Sequence, residues 1–170
     1  LVVDAAVGLQ ALGHTVDMYT SHHEPSHAFP ETRDGTLRVH VRGDFLPRSL
    51  LGRLHILFAT LRGLYLAAVM VLWEPRYDVL LVDQLSAPMP VLRATGSRLI
   101  FYCHFPDLKL SGRRGWLKAL YRAPFDWLEE RTTLTADAVL VNSKYTAQVF
   151  AETFKSAKIT PVVLYPSINL

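Results

Sequence analysis

The feature that most constrains the fold is an apolar run, LIFYC at 99–103, that stops abruptly at His104-Phe105-Pro106-Asp107. A short run rich in aliphatic and aromatic residues is typical of a strand covered on both faces, and proline prevents its continuation as a central strand. The run therefore predicts a buried parallel strand with an imidazole and a carboxylate just beyond its carboxyl end. In open α/β sheets, that end borders the crevice in which ligands bind.

Strand and helix patterns alternate along the rest of the chain. Strands are predicted at 15–20, 36–41, 77–83, 98–103, 136–141 and 161–165, and helices at 1–12, 48–73, 87–95, 115–134 and 143–154. This alternation predicts an α/β fold with a doubly wound parallel sheet. Because the first helix has no strand before it, we expect a fragment or shortened isoform that lacks the first strand of the sheet.

Composition narrows the class of protein further. The chain has 170 residues, of which 50% are hydrophobic and 19% are charged, and this balance is typical of one globular domain. The single cysteine, Cys103, excludes an internal disulfide and a cysteine-rich metal site, and it favours a reducing, cytosol-facing setting. A net charge of +3 without a basic tract interleaved with aromatic residues argues against nucleic acid as a partner.

Several motifs at predicted strand ends and on helices occur together. They are the GH-V turn at 13–16, Asp83-Gln84, FYCHFPD at 101–107, RAPFDWLEE at 122–130, VNSKYTAQVFAETFKS at 141–156 and VLYPSIN at 163–169. In this combination the chain resembles the amino-terminal half of a GT-B glycosyltransferase of family four. Within that family it is similar to the dolichol-linked mannosyltransferases of early N-glycan assembly, and the resemblance covers residues 1–170.

The resemblance implies a reaction and a location. Such enzymes transfer mannose from GDP-mannose to a mannosylated chitobiosyl-diphosphodolichol, in α-1,3 and then α-1,6 linkage, on the cytosolic face of the endoplasmic reticulum membrane. They hold the acceptor mainly in the amino-terminal half and GDP-mannose mainly in the carboxyl-terminal half, without a cofactor. The glycine-rich loop after the first strand and the carboxyl-terminal domain are absent from this sequence. We therefore expect the chain alone to be inactive, and the full-length protein to work at the membrane, in a possible complex with other early N-glycan glycosyltransferases.

The predicted strand ends supply the candidate site residues. The resemblance places a histidine near the donor sugar, which makes His104 the predicted catalytic residue; the alternative is a loop histidine bound to a backbone carbonyl. Asp83, Gln84, Phe105 and Asp107 are predicted to bind the acceptor. The alternative for Asp83 and Gln84 is to cap the helix that begins at 87, and the alternative for Asp107 is to cap the segment after it.

A basic segment follows the HFPD motif. Lys109, Arg113 and Arg114 are predicted to bind the diphosphate of the acceptor, while Trp116 faces the lipid. The alternative is a solvated face over an ordinary core stripe.

The segment 54–73 is the most apolar part of the chain and is nearly long enough to span a bilayer. Arg62 lies at its middle, where a charge is costly in lipid. We therefore favour a helix in the membrane interface over a full span or a buried core helix. The predicted membrane-binding residues are Leu54, Leu57, Phe58, Leu61, Leu64, Tyr65, Val69 and Trp73.

The loop at 21–31 contains three histidines, His22, His23 and His27, and histidine is a residue type that binds metals. No carboxylate-rich surroundings accompany them, so we predict a solvated acceptor-side loop and no metal site. Two other functions stay open for the chain: another lipid-linked or phosphatidylinositol glycosyltransferase, and a non-catalytic truncated isoform that binds membranes or partners.

Overall fold

A computed structural model of the chain describes residues 2–50, 52, 54–106, 116–154 and 159–166, with the backbone alone at 117–119. Within these residues the helices are α1 (Val2–Ala11), α2 (His55–Leu72), α3 (Met89–Leu92), α4 (Trp116–Thr133) and α5 (Lys144–Thr153). The strands are β1 (Asp17–Thr20), β2 (Arg38–Val41), β3 (Val79–Asp83), β4 (Arg98–Cys103), β5 (Ala138–Val141) and β6 (Val162–Val163). The predicted α/β class is confirmed.

The described strands form two parallel sheets, one in each of two compact units that divide at Leu66. In the first unit, β1 pairs with β2. In the second unit, the strands lie in the sequential order β3-β4-β5-β6. Parallel pairing brings the carboxyl ends of β3, β4 and β5 to the same edge of the second sheet.

The first unit packs α1 onto its sheet. Val3 and Ala6 of α1 form a small apolar core with Leu37, and Met18 of β1 packs against it. Gly13 follows α1 with φ of +90°, a left-handed conformation that glycine adopts without strain and that ends a helix. The predicted helix stop at this position is confirmed.

The core of the second unit is centred on β4. Leu99 and Phe101 of this strand and Val139 of its neighbour β5 are buried, together with Phe150 of α5. A parallel strand covered on both faces needs such a continuous apolar sequence, and the predicted bounds of β4 agree with the observed ones. β4 therefore holds His104, the residue directly after it, at a fixed place.

Asp137 secures the amino-terminal end of β4. Its carboxylate accepts hydrogen bonds from the Leu99 backbone N–H at 2.7 Å and from Arg93 Nη1 at 2.6 Å. The bond from Arg93, followed by the backbone bond, lowers the pKa of Asp137 below its ordinary value of 3.8. The Asp137 carboxylate is therefore ionised at neutral pH. Its charge strengthens the hydrogen bond that it accepts from the Leu99 N–H near the start of β4.

The start of α5 has the cap that its sequence predicts. Ser143 has an extended backbone, and its Oγ accepts the Thr146 N–H at 3.1 Å. This bond satisfies one of the amide groups that a helix leaves unpaired at its first turn.

We expect Ser143→Ala to destabilise α5 by about 1 kcal/mol, because alanine cannot accept that bond. Hydrogen exchange at the α5 amides of the full-length protein measures this loss. Ser143→Asp is the matched control, since its carboxylate can still cap the helix. Equal exchange rates in the wild type and the alanine variant would refute the capping role.

The long apolar helix begins later than predicted. The sequence pattern gave 48–73, whereas α2 is His55–Leu72. Leu54 has a φ of +60°, which a right-handed helix excludes, and its carbonyl accepts the Phe58 N–H at 3.1 Å. Leu54 is therefore the residue at which the helix starts, and the prediction is wrong for 48–53 as far as that segment is described.

Candidate functional site

Polar side chains gather at the carboxyl edge of the second sheet. Asp83 is the last residue of β3, His104 directly follows β4, and Asn142 directly follows β5. Because these strands are parallel neighbours, residues distant in sequence meet at one edge. The sheet therefore brings these strand-end side chains to one edge, and their roles stay predictions.

His104 and Asp83 are in direct contact. His104 Nε2 lies 2.7 Å from Asp83 Oδ1, and both side chains are partly exposed. The carboxylate contacts Nε2 and orients the imidazole, so a hydrogen bond from the ring to a substrate would have to involve Nδ1. The alternative for His104 was a ring bound to a backbone carbonyl. The observed partner of Nε2 is instead the carboxylate of Asp83.

Asp83 is not the cap of the next helix. The residue at the amino-terminal cap of α3 is Pro88, and no side-chain hydrogen bond caps that helix. The Asp83 side chain therefore does not cap that helix, and it contacts His104 instead.

Gln84 adopts a backbone conformation that is unusual for its residue type. It is exposed and has φ of +63°, in the left-handed region. This region costs a residue other than glycine roughly 1 kcal/mol, and such residues concentrate at functional sites. Gln84 thus shares its strained backbone with residues that are common at functional sites. Binding of the acceptor stays its predicted role.

Asn142 is a site residue that the sequence reasoning missed. Its Nδ2 donates to the His104 carbonyl at 3.0 Å, and its Oδ1 accepts from Thr146 Oγ1 at 2.6 Å. Asn142 thereby ties the residue after β4 to the first turn of α5. An amide directly after a predicted strand, beside a capping serine, is the signal that could have identified it.

Tyr102 packs against the imidazole of His104, and this contact was not identified from the sequence. Its ring meets the His104 ring edge to face, with centroids 4.8 Å apart, and its hydroxyl donates to the Leu164 carbonyl at 3.1 Å. Burial, and then the negative charge of Asp83, raise the pKa of Tyr102 above its ordinary value of 10.0. The hydroxyl therefore keeps its proton across the physiological range and acts as a donor.

Of the other predicted site residues, some are described by the structure and some are not. Phe105 packs against Tyr145 of α5, with ring centroids 6.3 Å apart. Trp116, the first residue of α4, is exposed. Asp107, Lys109, Arg113 and Arg114 lie outside the described residues.

Helix α2 is long and apolar enough to cross a membrane by length and composition. Leu61, Tyr65 and Leu72 are exposed, and their spacing places them on one face of the helix. Trp73, directly after the helix, is also exposed, whereas Leu54, Leu57, Phe58 and Leu64 are partly buried. The predicted contact of Val69 with lipid is corrected, because Val69 is only 7% exposed.

Within the first unit, Arg62 of α2 contacts Ser21 and Asp44. Its side chain is 7% exposed, and its Nη2 donates to the Ser21 carbonyl at 2.5 Å. The same atom lies 3.5 Å from Asp44 Oδ1. A hydrogen bond from His22, followed by the charges of His22 and Arg62, lowers the pKa of Asp44. This side of α2 therefore faces protein.

The three loop histidines have separate partners. His22 Nδ1 lies 2.7 Å from Asp44, His23 Nε2 lies 3.2 Å from Thr32 Oγ1, and His27 Nδ1 lies 2.9 Å from Ser26 Oγ. The described part of the chain contains no group of three histidine, cysteine, aspartate or glutamate side chains arranged to hold a metal ion.

Comparison with known proteins identifies the family. The sequence model of Glycosyltransferase Family 4 matches residues 1–170. The chain belongs to glycosyltransferase family 4. The family resemblance drawn from the strand-end motifs is therefore confirmed, and His104, Asp83 and Asn142 form the strand-end cluster of a family 4 domain.

Curated relatives of this family 4 chain share a specific name. The chain is 55% identical to the alpha-1,3/1,6-mannosyltransferase ALG2 of Rhizomucor pusillus, over 99% of this chain and 38% of the relative. It is 51% identical to the human protein of that name, over 100% of this chain and 42% of the relative. The Saccharomyces cerevisiae protein is 49% identical, over 100% of this chain and 34% of the relative. The chain thus spans well under half the length of these relatives, and no solved structure matches it significantly.

Proposed function

We propose that the protein to which this chain contributes transfers mannose from GDP-mannose to a mannosylated chitobiosyl-diphosphodolichol, first in α-1,3 and then in α-1,6 linkage. The observation that carries the proposal is the 51% identity, over the whole chain, with a human protein named as an alpha-1,3/1,6-mannosyltransferase. The contact between His104 and Asp83 at the carboxyl edge of the sheet supports it, because sugar transfer needs oriented hydrogen-bonding groups in a crevice.

In this proposal the chain holds the acceptor, and the rest of the protein holds GDP-mannose. His104 donates a hydrogen bond to the transferring sugar or to the acceptor hydroxyl and stabilises the charge that develops during transfer. Asp83 keeps the imidazole in position through its 2.7 Å contact and, with Gln84, binds sugar hydroxyls. Asp107 joins them at the sugar, and Lys109, Arg113 and Arg114 bind the diphosphate.

A transfer assay with the full-length protein tests this proposal. It is incubated with radiolabelled GDP-mannose, UDP-glucose or UDP-N-acetylglucosamine, and with the mannosylated dolichol acceptor or phosphatidylinositol. We expect label from GDP-mannose alone, on the dolichol acceptor alone, in products that linkage-specific mannosidases cleave as α-1,3 and α-1,6. Transfer to phosphatidylinositol would replace the proposal with a phosphatidylinositol glycosyltransferase. Absence of all transfer would favour a non-enzymatic protein.

The proposal includes the cytosolic surface of the endoplasmic reticulum membrane, where a lipid-linked acceptor is held. The exposed apolar face of α2 supports this location, since an apolar face beside a protein-bound face suits a helix in the interface. A complex with other early N-glycan glycosyltransferases on the same membrane surface belongs to the same proposal.

We expect Leu61→Ser combined with Leu72→Ser to weaken binding to phospholipid vesicles by about 100-fold, because each buried leucine contributes roughly 1.5 kcal/mol or more. Co-sedimentation of the full-length protein with vesicles measures the change. The matched control is Leu9→Ser combined with Leu12→Ser, two exposed leucines at the end of α1. Equal vesicle binding by both double variants would contradict the role of α2.

A further inference from the structure

A partly buried phenylalanine and an exposed tyrosine form an aromatic pair beside the cluster of His104 and Asp83. Phe105 directly follows His104, and its ring is stacked with that of Tyr145, with centroids 6.3 Å apart and planes inclined by 25°. Tyr145 is the second residue of α5 and is 68% exposed. We call these two rings the aromatic ledge.

The aromatic ledge contributes little to the core. A tyrosine side chain that remains 68% exposed has lost only a small part of its apolar surface to folding, so hydrophobic burial does not account for its place. The core of α5 is supplied instead by Val149 and Phe150, which are buried. Tyr145 therefore presents a flat apolar surface to solvent.

Hydrogen bonds fix the aromatic ledge relative to His104. Asn142 Nδ2 binds the His104 carbonyl at 3.0 Å, and Ser143 Oγ accepts the Thr146 N–H at 3.1 Å. The first bond anchors the backbone that carries Phe105, and the second sets the first turn of α5, which carries Tyr145. A preorganised surface binds without the cost of ordering it.

A pyranose ring matches this combination of groups. Its axial C–H bonds form an apolar face, and most of its hydroxyl groups project from the edge, where carboxylate, amide and imidazole groups bind them. Aromatic rings supply the complementary flat surface. We infer that the aromatic ledge of Phe105 and Tyr145 is a subsite that packs against the apolar face of a pyranose ring. The inference rests on the proposed function and names Tyr145 as a further substrate-binding residue.

The pyranose has two sources in the proposed reaction, the mannose of GDP-mannose and the sugars of the acceptor. Calorimetry on the full-length protein therefore measures binding of GDP-mannose and, separately, of the free mannosyl-chitobiose trisaccharide. We expect Tyr145→Ala to weaken one of the two by about three- to tenfold, the range for loss of one aromatic contact. Weaker trisaccharide binding assigns the aromatic ledge to the acceptor, and weaker GDP-mannose binding assigns it to the donor.

Matched variants distinguish loss of the aromatic ring at position 145 from a defect in folding. Tyr145→Phe keeps the ring and should bind like the wild type, whereas Tyr145→Gln removes the ring and should behave like the alanine variant. Trp127→Ala, at an exposed aromatic residue of α4, should leave both affinities unchanged. In transfer assays, Tyr145→Ala should raise KM for the same substrate and keep kcat within about twofold, because uniform binding is lost.

The outcomes distinguish the two proposals. Unchanged affinity for both sugars in Tyr145→Ala overturns the aromatic ledge, and so does a fall in kcat with both KM values unchanged. Absence of mannose transfer by the wild-type protein refutes the proposed function, while the binding measurements still decide whether Tyr145 contacts a sugar.

Discussion

Replacing His104 with alanine is expected to lower kcat for mannose transfer by the full-length protein by at least about 100-fold, the loss typical of removing one oriented hydrogen-bonding group from a transition state. KM should change much less, because the imidazole acts on charge that develops during transfer. Initial rates over a range of acceptor and GDP-mannose concentrations separate the two constants.

The structure predicts that this loss is not a folding defect. His104 and Asp83 are both partly exposed, and a partly exposed contact of this kind contributes roughly 1 kcal/mol to stability. His14→Ala, at an exposed histidine after α1, is the control and should keep full activity. Turnover close to the wild-type rate in a folded His104→Ala protein would remove His104 from the catalytic machinery.

Asp83→Asn provides a second comparison with His104→Ala. Asparagine keeps a hydrogen-bonding oxygen at the same place but lacks the charge that orients the imidazole, so kcat should fall by less than in His104→Ala. If Asp83 acts through His104, the double variant should be no slower than His104→Ala alone. Multiplicative losses would show that the two residues act independently.

Phe101→Ala is expected to cause the largest loss of stability, about 3–5 kcal/mol. Phe101 is 2% exposed at the centre of β4, opposite Val82 of β3 and Val139 of β5. Alanine removes most of the side chain and leaves a cavity that a close-packed sheet cannot fill. Because β4 carries His104, the site should loosen together with the core.

Hydrogen exchange at the β4 and β5 amides of the full-length protein measures the free energy of opening in this unit. Phe29→Ala is the control, since Phe29 is exposed and its loss should stay near or below about 0.5 kcal/mol. Protection of β4 that survives Phe101→Ala would show that the core lies elsewhere.

The sequence predicted the local elements because each depends on short-range periodicity and on a few special residues. β4 was predicted with its observed bounds, since a short apolar run that ends at Cys103, shortly before Pro106, is typical of a buried strand. Gly13 and Ser143 marked the end of α1 and the start of α5 correctly. The start of α2 was misplaced, because an apolar pattern continues through residues whose backbone is not helical.

The sequence by itself also determined the family and the position of chemistry-bearing residues just after strands. Only the tertiary structure decided which of them meet. His104 and Asp83 are 21 residues apart, and Asn142 is 38 residues from the carbonyl that it binds. Their contacts depend on β3, β4 and β5 lying side by side in parallel register, and no local pattern encodes which strands are neighbours. The burial of Val69 and the bond from Arg62 to Ser21 were undecided for the same reason, because which face of an apolar helix is covered depends on what packs against it.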